Sequence, residues 1–323
     1  MRELQQDTMS YVRMFGRPDF FITVTMSSTH HSITSSLLPG QVAADRPDLV
    51  ARAFNVMTKD FKRVMVDGKI FGEVRAFVIV TEYQKRGLPH IHCLFWMTPE
   101  DKPQPLSFDE FISAEIPSAD ADPELHTLVK TVMRHGPCGA ENPNSPCMVN
   151  GRCSKGFPRE FLRETRLNDD GYPSMRRRSP ADGGNTAVVA IRGRNVTIDN
   201  RWVVPYNPKL LQLFKCHLNV ELCNSVHAIK YVVKYILKGG SRQQYSIERD
   251  EGEERQADPE EGNGGGERRI DEVKEFHNSR SVCPAEAASR LFEHKLNERG
   301  PTVTRLPVHL QDRQRVSFKT KLK

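Results

Sequence analysis

This sequence of 323 residues lacks several features of membrane and secreted proteins. No run of about 20 apolar residues occurs, so we expect no membrane-spanning segment. Residues 1–7 contain no apolar signal core, so we expect an intracellular protein. The pattern Gly-x4-Gly-Lys-Ser/Thr is absent as well, and with it the phosphate-binding loop of nucleotide-driven motors. No internal repeat is visible.

The number of cysteines and the distribution of acidic residues both narrow the class of protein. There are 7 cysteines. An odd number in an intracellular chain favours free thiols or metal ligands over a disulfide framework. The formal net charge is +6, and the acidic residues cluster within 248–261. The remainder of the chain is therefore more basic than the total, which is compatible with a polyanionic partner.

Hydrophobic periodicity predicts a mixture of helices and strands. The clearest signals are a β-branched strand at Phe20–Thr25, a helix over 48–66, and a hairpin with arms at 75–81 and 90–96. Weaker signals predict helices at 9–16, 108–116, 125–134, 209–215, 225–237 and 285–296, and strands at 188–191, 195–198, 217–221 and 302–309. The sequence therefore predicts an α+β fold, with a central, mainly antiparallel sheet and flanking helices.

Composition divides the chain into three parts. Residues 1–242 form the predicted main domain, which includes an irregular Cys-rich segment at 135–158. Residues 243–269 are charged, rich in glycine and nearly free of apolar side chains, so we predict a disordered linker or insertion there. Residues 270–323 form a predicted helical and extended extension of the main domain.

Two histidines on the second arm of the hairpin form a candidate metal site. Side chains alternate along a strand, so His90 and His92 project from one face while Ile91 points to the other. Two imidazoles supply half of a divalent-metal site. Glu82 and Gln84, on the incoming strand, are candidates for an oxygen ligand. We favour Glu82, although the hairpin register that decides between them is not set by the sequence.

A second candidate site lies on the predicted helix 225–237. Tyr231 and Tyr235 are four residues apart and share a face, beside a stripe formed by Lys230, Lys234 and Lys238. Phenols next to ammonium groups suit nucleophilic attack on phosphorus, because the cations lower the cost of a phenolate. The alternative is an amphipathic helix whose tyrosines pack against the core.

Two further clusters carry possible binding residues. His135, Cys138, Cys147 and Cys153 lie among Gly, Pro and Asn, and could hold a structural Zn²⁺, although buried thiols in an irregular loop explain them equally well. A basic cluster is a candidate for contacts with the DNA backbone. Its members are Arg176, Arg177, Arg178, Arg192 and Arg194.

Taken in order, these motifs resemble a known family. The Phe20–Thr25 strand, the Glu82–His92 hairpin and the Tyr231/Tyr235 helix match the replication-initiator-like nuclease of Helitron rolling-circle transposases, also called the Helitron helicase-like domain. This domain is of the HUH (His-hydrophobe-His) endonuclease type with two tyrosines. The intervening stretches 135–139, 153–158, 204–208 and 305–310 are similar as well.

The resemblance implies a mechanism. A divalent ion, Mg²⁺ or Mn²⁺, would be held by His90, His92 and an oxygen ligand; imidazole suits Mn²⁺ better. Tyr231 or Tyr235, assisted by Lys234, would attack single-stranded DNA at transposon ends and form a 5′-phosphotyrosyl intermediate. Lys230 and Lys238 would contact the DNA.

The resemblance also implies what this chain lacks. The family joins its nuclease to a helicase domain, which is missing from this chain and would be its partner. We therefore expect a fragment of a larger protein, a truncated gene model or a stand-alone nuclease. Action on transposon DNA implies the nucleus. Two other interpretations remain: an inactive DNA-binding remnant of a transposon, and a zinc-stabilised interaction module whose tyrosines are structural.

Overall fold

The computed structural model describes residues 2–83, 88–169, 171–191, 193–223 and 282–304. Its helices are α1 (Arg2–Phe15), α2 (His31–Thr34), α3 (Pro47–Lys62), α4 (Phe108–Phe111), α5 (Pro123–Val132), α6 (Pro208–Phe214) and α7 (Pro284–Leu291). Its longer strands are β1 (Phe20–Thr25), β2 (Val74–Tyr83), β3 (Pro89–Met97), β8 (Ala187–Ile191), β9 (Arg194–Ile198), β10 (His217–Leu222) and β11 (Asn297–Gly300). Its two-residue strands are β4 (Met148–Val149), β5 (Arg152–Cys153), β6 (Arg166–Leu167) and β7 (Pro173–Ser174).

A five-stranded sheet forms the centre of the fold, with strand order β10-β1-β3-β2-β11. Every neighbouring pair is antiparallel. This confirms the predicted mixed α+β architecture with an antiparallel sheet. Strand β3, which carries both histidines, lies in the middle, so its backbone is paired on both sides.

The two faces of the sheet pack against different partners. Phe20, Ile22 and Val24 are fully buried in a core that includes apolar residues of α3. Fully burying such a side chain stabilises the fold by about 1.5–3 kcal/mol. The alternate residues of β1 lie on the opposite face, where Phe21 packs in a smaller cluster with Tyr11 and Trp96. Beyond that cluster, the same face carries polar side chains.

A second hydrophobic core lies beside the sheet. It combines residues of α5, β8 and α6 with Trp202 and Tyr206, and the cysteines of the irregular segment pack against it. Residues 135–158 are therefore attached to an apolar core rather than being a loop in solvent. The helix α5 begins at Pro123, where the Asp122 side chain accepts from Leu125 N–H.

Some predicted elements differ from the structure. The helix predicted over 108–116 ends at Phe111, because Ile112, Ala114 and Ile116 point into the two cores from an extended segment whose Ser113 pairs with Tyr206. The helix predicted over 285–296 ends at Leu291, and β11 then pairs with β2. The strand predicted at 302–309 lies mostly outside the described residues, as do the helix 225–237 and the linker 243–269.

Other predictions agree with the structure. Strand β1 has the bounds predicted, and β2 and β3 form the predicted hairpin. The helix predicted over 48–66 is α3, continued by a π-helical turn at Arg63–Asp67. Among the described residues, no helix has the length and the apolar character needed to cross a bilayer.

Candidate metal centre

The pairing of β2 with β3 brings one carboxylate to the two histidines. Glu82 lies directly across the hairpin from His90, and Thr23 on β1 lies directly across from His92. All four residues therefore project from the same face of the sheet. The register of the hairpin strands, which the sequence did not set, thus places Glu82 beside both imidazoles. Gln84 lies outside the described residues.

The distances suit ligands of one ion. Glu82 Oε2 is 3.5 Å from His90 Nε2 and 3.4 Å from His92 Nε2. Both separations exceed the about 2.7–3.2 Å of a good hydrogen bond. Atoms that each lie about 2.0–2.2 Å from the same metal ion are about 3.0–3.6 Å apart. The three groups therefore form a set of two nitrogens and one oxygen with a spacing that fits a divalent cation.

Neighbouring side chains fix the His92 ring. Its Nδ1 is 3.0 Å from Thr23 Oγ1, and the ring stacks on Phe21 with centroids 5.6 Å apart. A ligand at Nε2 requires the proton on Nδ1, from which it is donated to the Thr23 hydroxyl. Metal-bound histidines usually make such a bond to an outer oxygen, which fixes the tautomer and the ring orientation.

The His90 ring leaves one buried atom unpaired. Its Nδ1 is buried and has no hydrogen-bond partner among the described residues. A ligand at Nε2 would leave the proton on this Nδ1 atom, so the unpaired atom is not itself evidence for an ion. His90 and His92 are only 6% and 8% exposed, and their rings meet edge to face at 4.7 Å. The pocket is therefore preformed and shielded, and its residues fit the implied divalent ion.

The predicted zinc residues also converge. One ligand atom from each of His135, Cys138, Cys147 and Cys153 lies within 4.8 Å of the others. Cys153 Sγ is 3.2 Å from His135 Nε2. Two short strands, β4 and β5, place Cys153 opposite Met148 and so next to Cys147. Three sulfurs and one imidazole are a typical donor set for structural Zn²⁺, so this cluster fits that ion.

The surroundings of Cys138, Cys153 and His135 shift their pKa values in different directions. Burial raises the pKa of the Cys138 thiol to about 12. Burial also acts upward on Cys153, but N–H groups of Phe157 and Lys155 donate to its sulfur, and its pKa is lowered overall. Burial and the charges of Lys155 and Arg159 lower the pKa of His135, so its imidazole is neutral. A neutral imidazole is the form that binds a metal.

Glu82, His90 and His92 line a cavity of about 1280 Å³, and His135 and Cys147 line it as well. Its lining also includes three polar residues of β10 that the sequence reasoning missed, His217, Asn219 and Glu221. His217 Nδ1–H donates to Val132 O at 2.7 Å, so its Nε2 is an acceptor. Asn219 donates to Glu221 at 2.8 Å. The alternation of these residues with buried Leu218, Val220 and Leu222 was the signal that could have revealed them.

The arginine cluster has several roles in the structure. Arg177 is 5% exposed, and its guanidinium donates to three backbone carbonyls, so its charge is not available to a DNA backbone. Arg178 forms a bidentate pair with Glu115. Arg176 is half-exposed between Asp109 and Glu115, and Arg194 is exposed. Arg192 lies outside the described residues.

The predicted nucleophiles are also outside the described residues. Tyr231, Tyr235 and the lysines Lys230, Lys234 and Lys238 all fall within 224–281. Their roles remain predictions from the sequence.

Comparison with protein families bears on the hairpin directly. Residues 1–95 match the family described as "Helitron helicase-like domain at N-terminus". The matched stretch contains Glu82, His90 and His92, and over these 95 residues it confirms the resemblance expected from the strand and the hairpin. This Helitron-like segment links the protein to transposable elements. No curated protein matches the chain.

Proposed function

We propose that the protein is a metal-dependent endonuclease and strand transferase for single-stranded DNA, as in Helitron transposition. The observation that carries the proposal is the convergence of Glu82, His90 and His92 within the Helitron-like segment. An antiparallel sheet with both histidines on its middle strand supports a fold of the HUH type. The identities of Tyr231 and Tyr235, from the sequence alone, complete the proposed site.

The chemistry assigned to these residues is transesterification. A divalent ion held by Glu82, His90 and His92 would polarise the scissile phosphate and balance its developing charge. The hydroxyl of Tyr231 or Tyr235 attacks phosphorus, and the bond to the 3′ oxygen breaks. The tyrosine loses its proton, the 3′ oxygen gains one, and the 5′ phosphate stays on the enzyme. A second tyrosine permits a second strand transfer before the first bond is resolved.

A covalent-adduct assay tests the proposal. The protein is incubated with Mn²⁺ and a 3′-labelled pool of random single-stranded oligonucleotides, then separated on a denaturing gel. We expect a labelled protein band for the wild type and none for the Tyr231→Phe/Tyr235→Phe variant. The matched control is Tyr172→Phe, because Tyr172 lines the same cavity as the histidines.

Each result has a defined meaning. No adduct with the wild type contradicts the proposed activity. Loss of the adduct in Tyr172→Phe but not in the double variant assigns the nucleophile elsewhere. His90→Ala is expected to abolish Mn²⁺-dependent cleavage while single-strand binding is largely kept, and cleavage that survives this change refutes the metal assignment.

A second candidate function is a zinc-stabilised interaction module. The observation that favours it is the His/Cys cluster, formed by His135, Cys138, Cys147 and Cys153. Its four residues lie close enough to bind one ion without any help from the histidine hairpin. This module would bind Zn²⁺ and show no affinity for single-stranded DNA. An inactive transposon remnant would bind DNA without forming the adduct. The missing helicase domain as a partner and the nuclear location are further parts of the nuclease proposal.

A further inference from the structure

Three basic side chains line the cavity that holds the candidate metal centre. Lys155, Arg159 and Arg166 are all exposed, and we call them the basic wall. None of the three forms an ion pair with another described residue. Arg134 and Arg177 line the same cavity but donate to backbone carbonyls. The basic wall is thus the part of the lining whose positive charge is available to a ligand.

The acidic residues of the cavity do not neutralise this wall. Glu82 lies between the two histidines, and Glu221 accepts from Asn219. Glu160 is exposed at the cavity and forms no ion pair among the described residues. Arg159 acts on Glu221 only through its charge, which opposes the rise in the pKa of that carboxyl caused by burial. Cations therefore exceed carboxylates where a ligand would enter.

A chain of ring contacts joins the basic wall to the His/Cys cluster. The His135 ring stacks on Phe157 with centroids 4.4 Å apart. The Arg159 guanidinium lies over the Phe157 ring at 5.1 Å. Lys155 donates its backbone N–H to Cys153 Sγ. Whatever fixes His135 and Cys153 therefore also fixes the segment that carries Lys155 and Arg159.

The cavity suits a polymer rather than a small molecule. Small-molecule sites are usually about 300–1000 Å³, enclosed and mostly apolar. The cavity beside the metal centre is larger, is lined by several basic side chains and includes the partly exposed ring of Tyr172. Positive charge along a groove together with aromatic surface is the usual means of binding a single strand.

We propose that Lys155, Arg159 and Arg166 bind the phosphates of a single-stranded polynucleotide in the cavity of the metal centre. Zn²⁺ bound by the His/Cys cluster holds Arg159 in its binding position through the Phe157 ring. The proposal deepens the proposed function by naming the surface that delivers the strand. Binding of Zn²⁺ to the His/Cys cluster thereby controls the affinity of the basic wall for the single strand.

Binding measurements without Mg²⁺ or Mn²⁺ test the wall separately from cleavage. The probe is a labelled 12-nucleotide oligothymidylate, followed by fluorescence anisotropy over a series of KCl concentrations. Each of Lys155→Ala, Arg159→Ala and Arg166→Ala is expected to weaken binding by about 3- to 10-fold. Each should also reduce the slope of log affinity against log salt by about 0.7. The matched control is Arg152→Ala, an exposed residue of the same segment that does not line the cavity.

The link to zinc has its own variants. Phe157→Leu removes the stacking ring without changing a ligand, so it should weaken binding as much as Arg159→Ala does, whereas Phe157→Tyr should bind like the wild type. Cys147→Ser alone should weaken binding of the oligothymidylate. Added to Arg159→Ala, it should weaken binding little further, because the two changes act through one contact.

The outcomes separate the wall from the catalytic proposal. If the three alanine variants keep the wild-type salt slope, or if Arg152→Ala lowers it equally, the wall is refuted. If Phe157→Leu binds normally, the link to zinc is refuted. Altered binding by these variants in a protein that forms no covalent adduct would refute the nuclease and leave the wall standing.

Discussion

At the scale of single residues, Thr23 illustrates how a short side chain can set the properties of a candidate metal site. It lies on β1, across from His92, and its hydroxyl oxygen is 3.0 Å from His92 Nδ1. As an acceptor of the Nδ1 proton, this hydroxyl would favour the tautomer that leaves Nε2 open to a ligand. The quality of the site thus depends on a residue from a strand outside the hairpin.

Replacing Thr23 with valine tests this role. Thr23→Val keeps the shape of the side chain and removes the hydroxyl, so the His92 ring loses its proton acceptor. We expect Mn²⁺ affinity to fall by about 10- to 100-fold, as for other outer-shell partners of metal ligands. Isothermal titration calorimetry measures the change, with His31→Ala, an exposed histidine on α2, as the control. Unchanged affinity in Thr23→Val would show that His92 does not bind through Nε2.

At the scale of elements, the histidine hairpin could be predicted because its signal is local. Alternation places His90 and His92 together within three residues, and Glu82 follows from the antiparallel register. The cavity could not be predicted in this way. Three of its other polar residues, His217, Asn219 and Glu221, come from β10, more than 120 positions away, and their proximity depends on how β10 pairs with β1. Long-range pairing is not encoded in any single pattern.

The arginine run at 176–178 shows the same limit. Three consecutive arginines are typical of a solvated or DNA-binding surface, yet Arg177 is buried and links the carbonyls of Ala114, Asn200 and Val203. Burial, with the nearby charge of Arg159, lowers the pKa of its guanidinium to about 10. Sequence alone does not show which arginine of a run turns inward.

Arg177 should therefore matter for stability. Arg177→Met keeps the length of the side chain but removes the guanidinium that donates to three buried carbonyls. We expect a loss of about 2–5 kcal/mol in the free energy of unfolding. Urea denaturation followed by circular dichroism measures it. Arg194→Ala, an exposed change, should stay within about 0.5 kcal/mol of the wild type. A similarly small effect for Arg177→Met would mean that the carbonyls find other donors.

At the scale of the whole molecule, one polar cavity is lined by residues from both hydrophobic cores, and the burial of charged groups there makes stability depend on pH. Glu221 is the clearest case, because burial raises its pKa despite bonds from Asn219 and Tyr172 and the charge of Arg159. A raised pKa means that the folded state keeps the proton at pH values where the unfolded chain has released it. Stability is therefore lost as the pH rises above the ordinary range of a glutamic acid.

Glu221→Gln should remove this dependence. The amide stays neutral, so the variant is expected to gain stability relative to the wild type at pH 7–8 and to gain less near pH 4. Thermal unfolding of both proteins between pH 4 and pH 8 measures the difference. An offset that is constant over this range would show that Glu221 has an ordinary pKa.

The edge strand β11 has a consequence for how the chain is made. It pairs with β2 across more than 200 residues, with Asn297 next to Val80. During synthesis, β2 therefore leaves the ribosome long before its outer partner exists. Until then a row of backbone N–H and C=O groups on an apolar strand stays open to pairing with other chains. A protein shortened before residue 297 would keep both histidines and Glu82, and would be expected to aggregate rather than act.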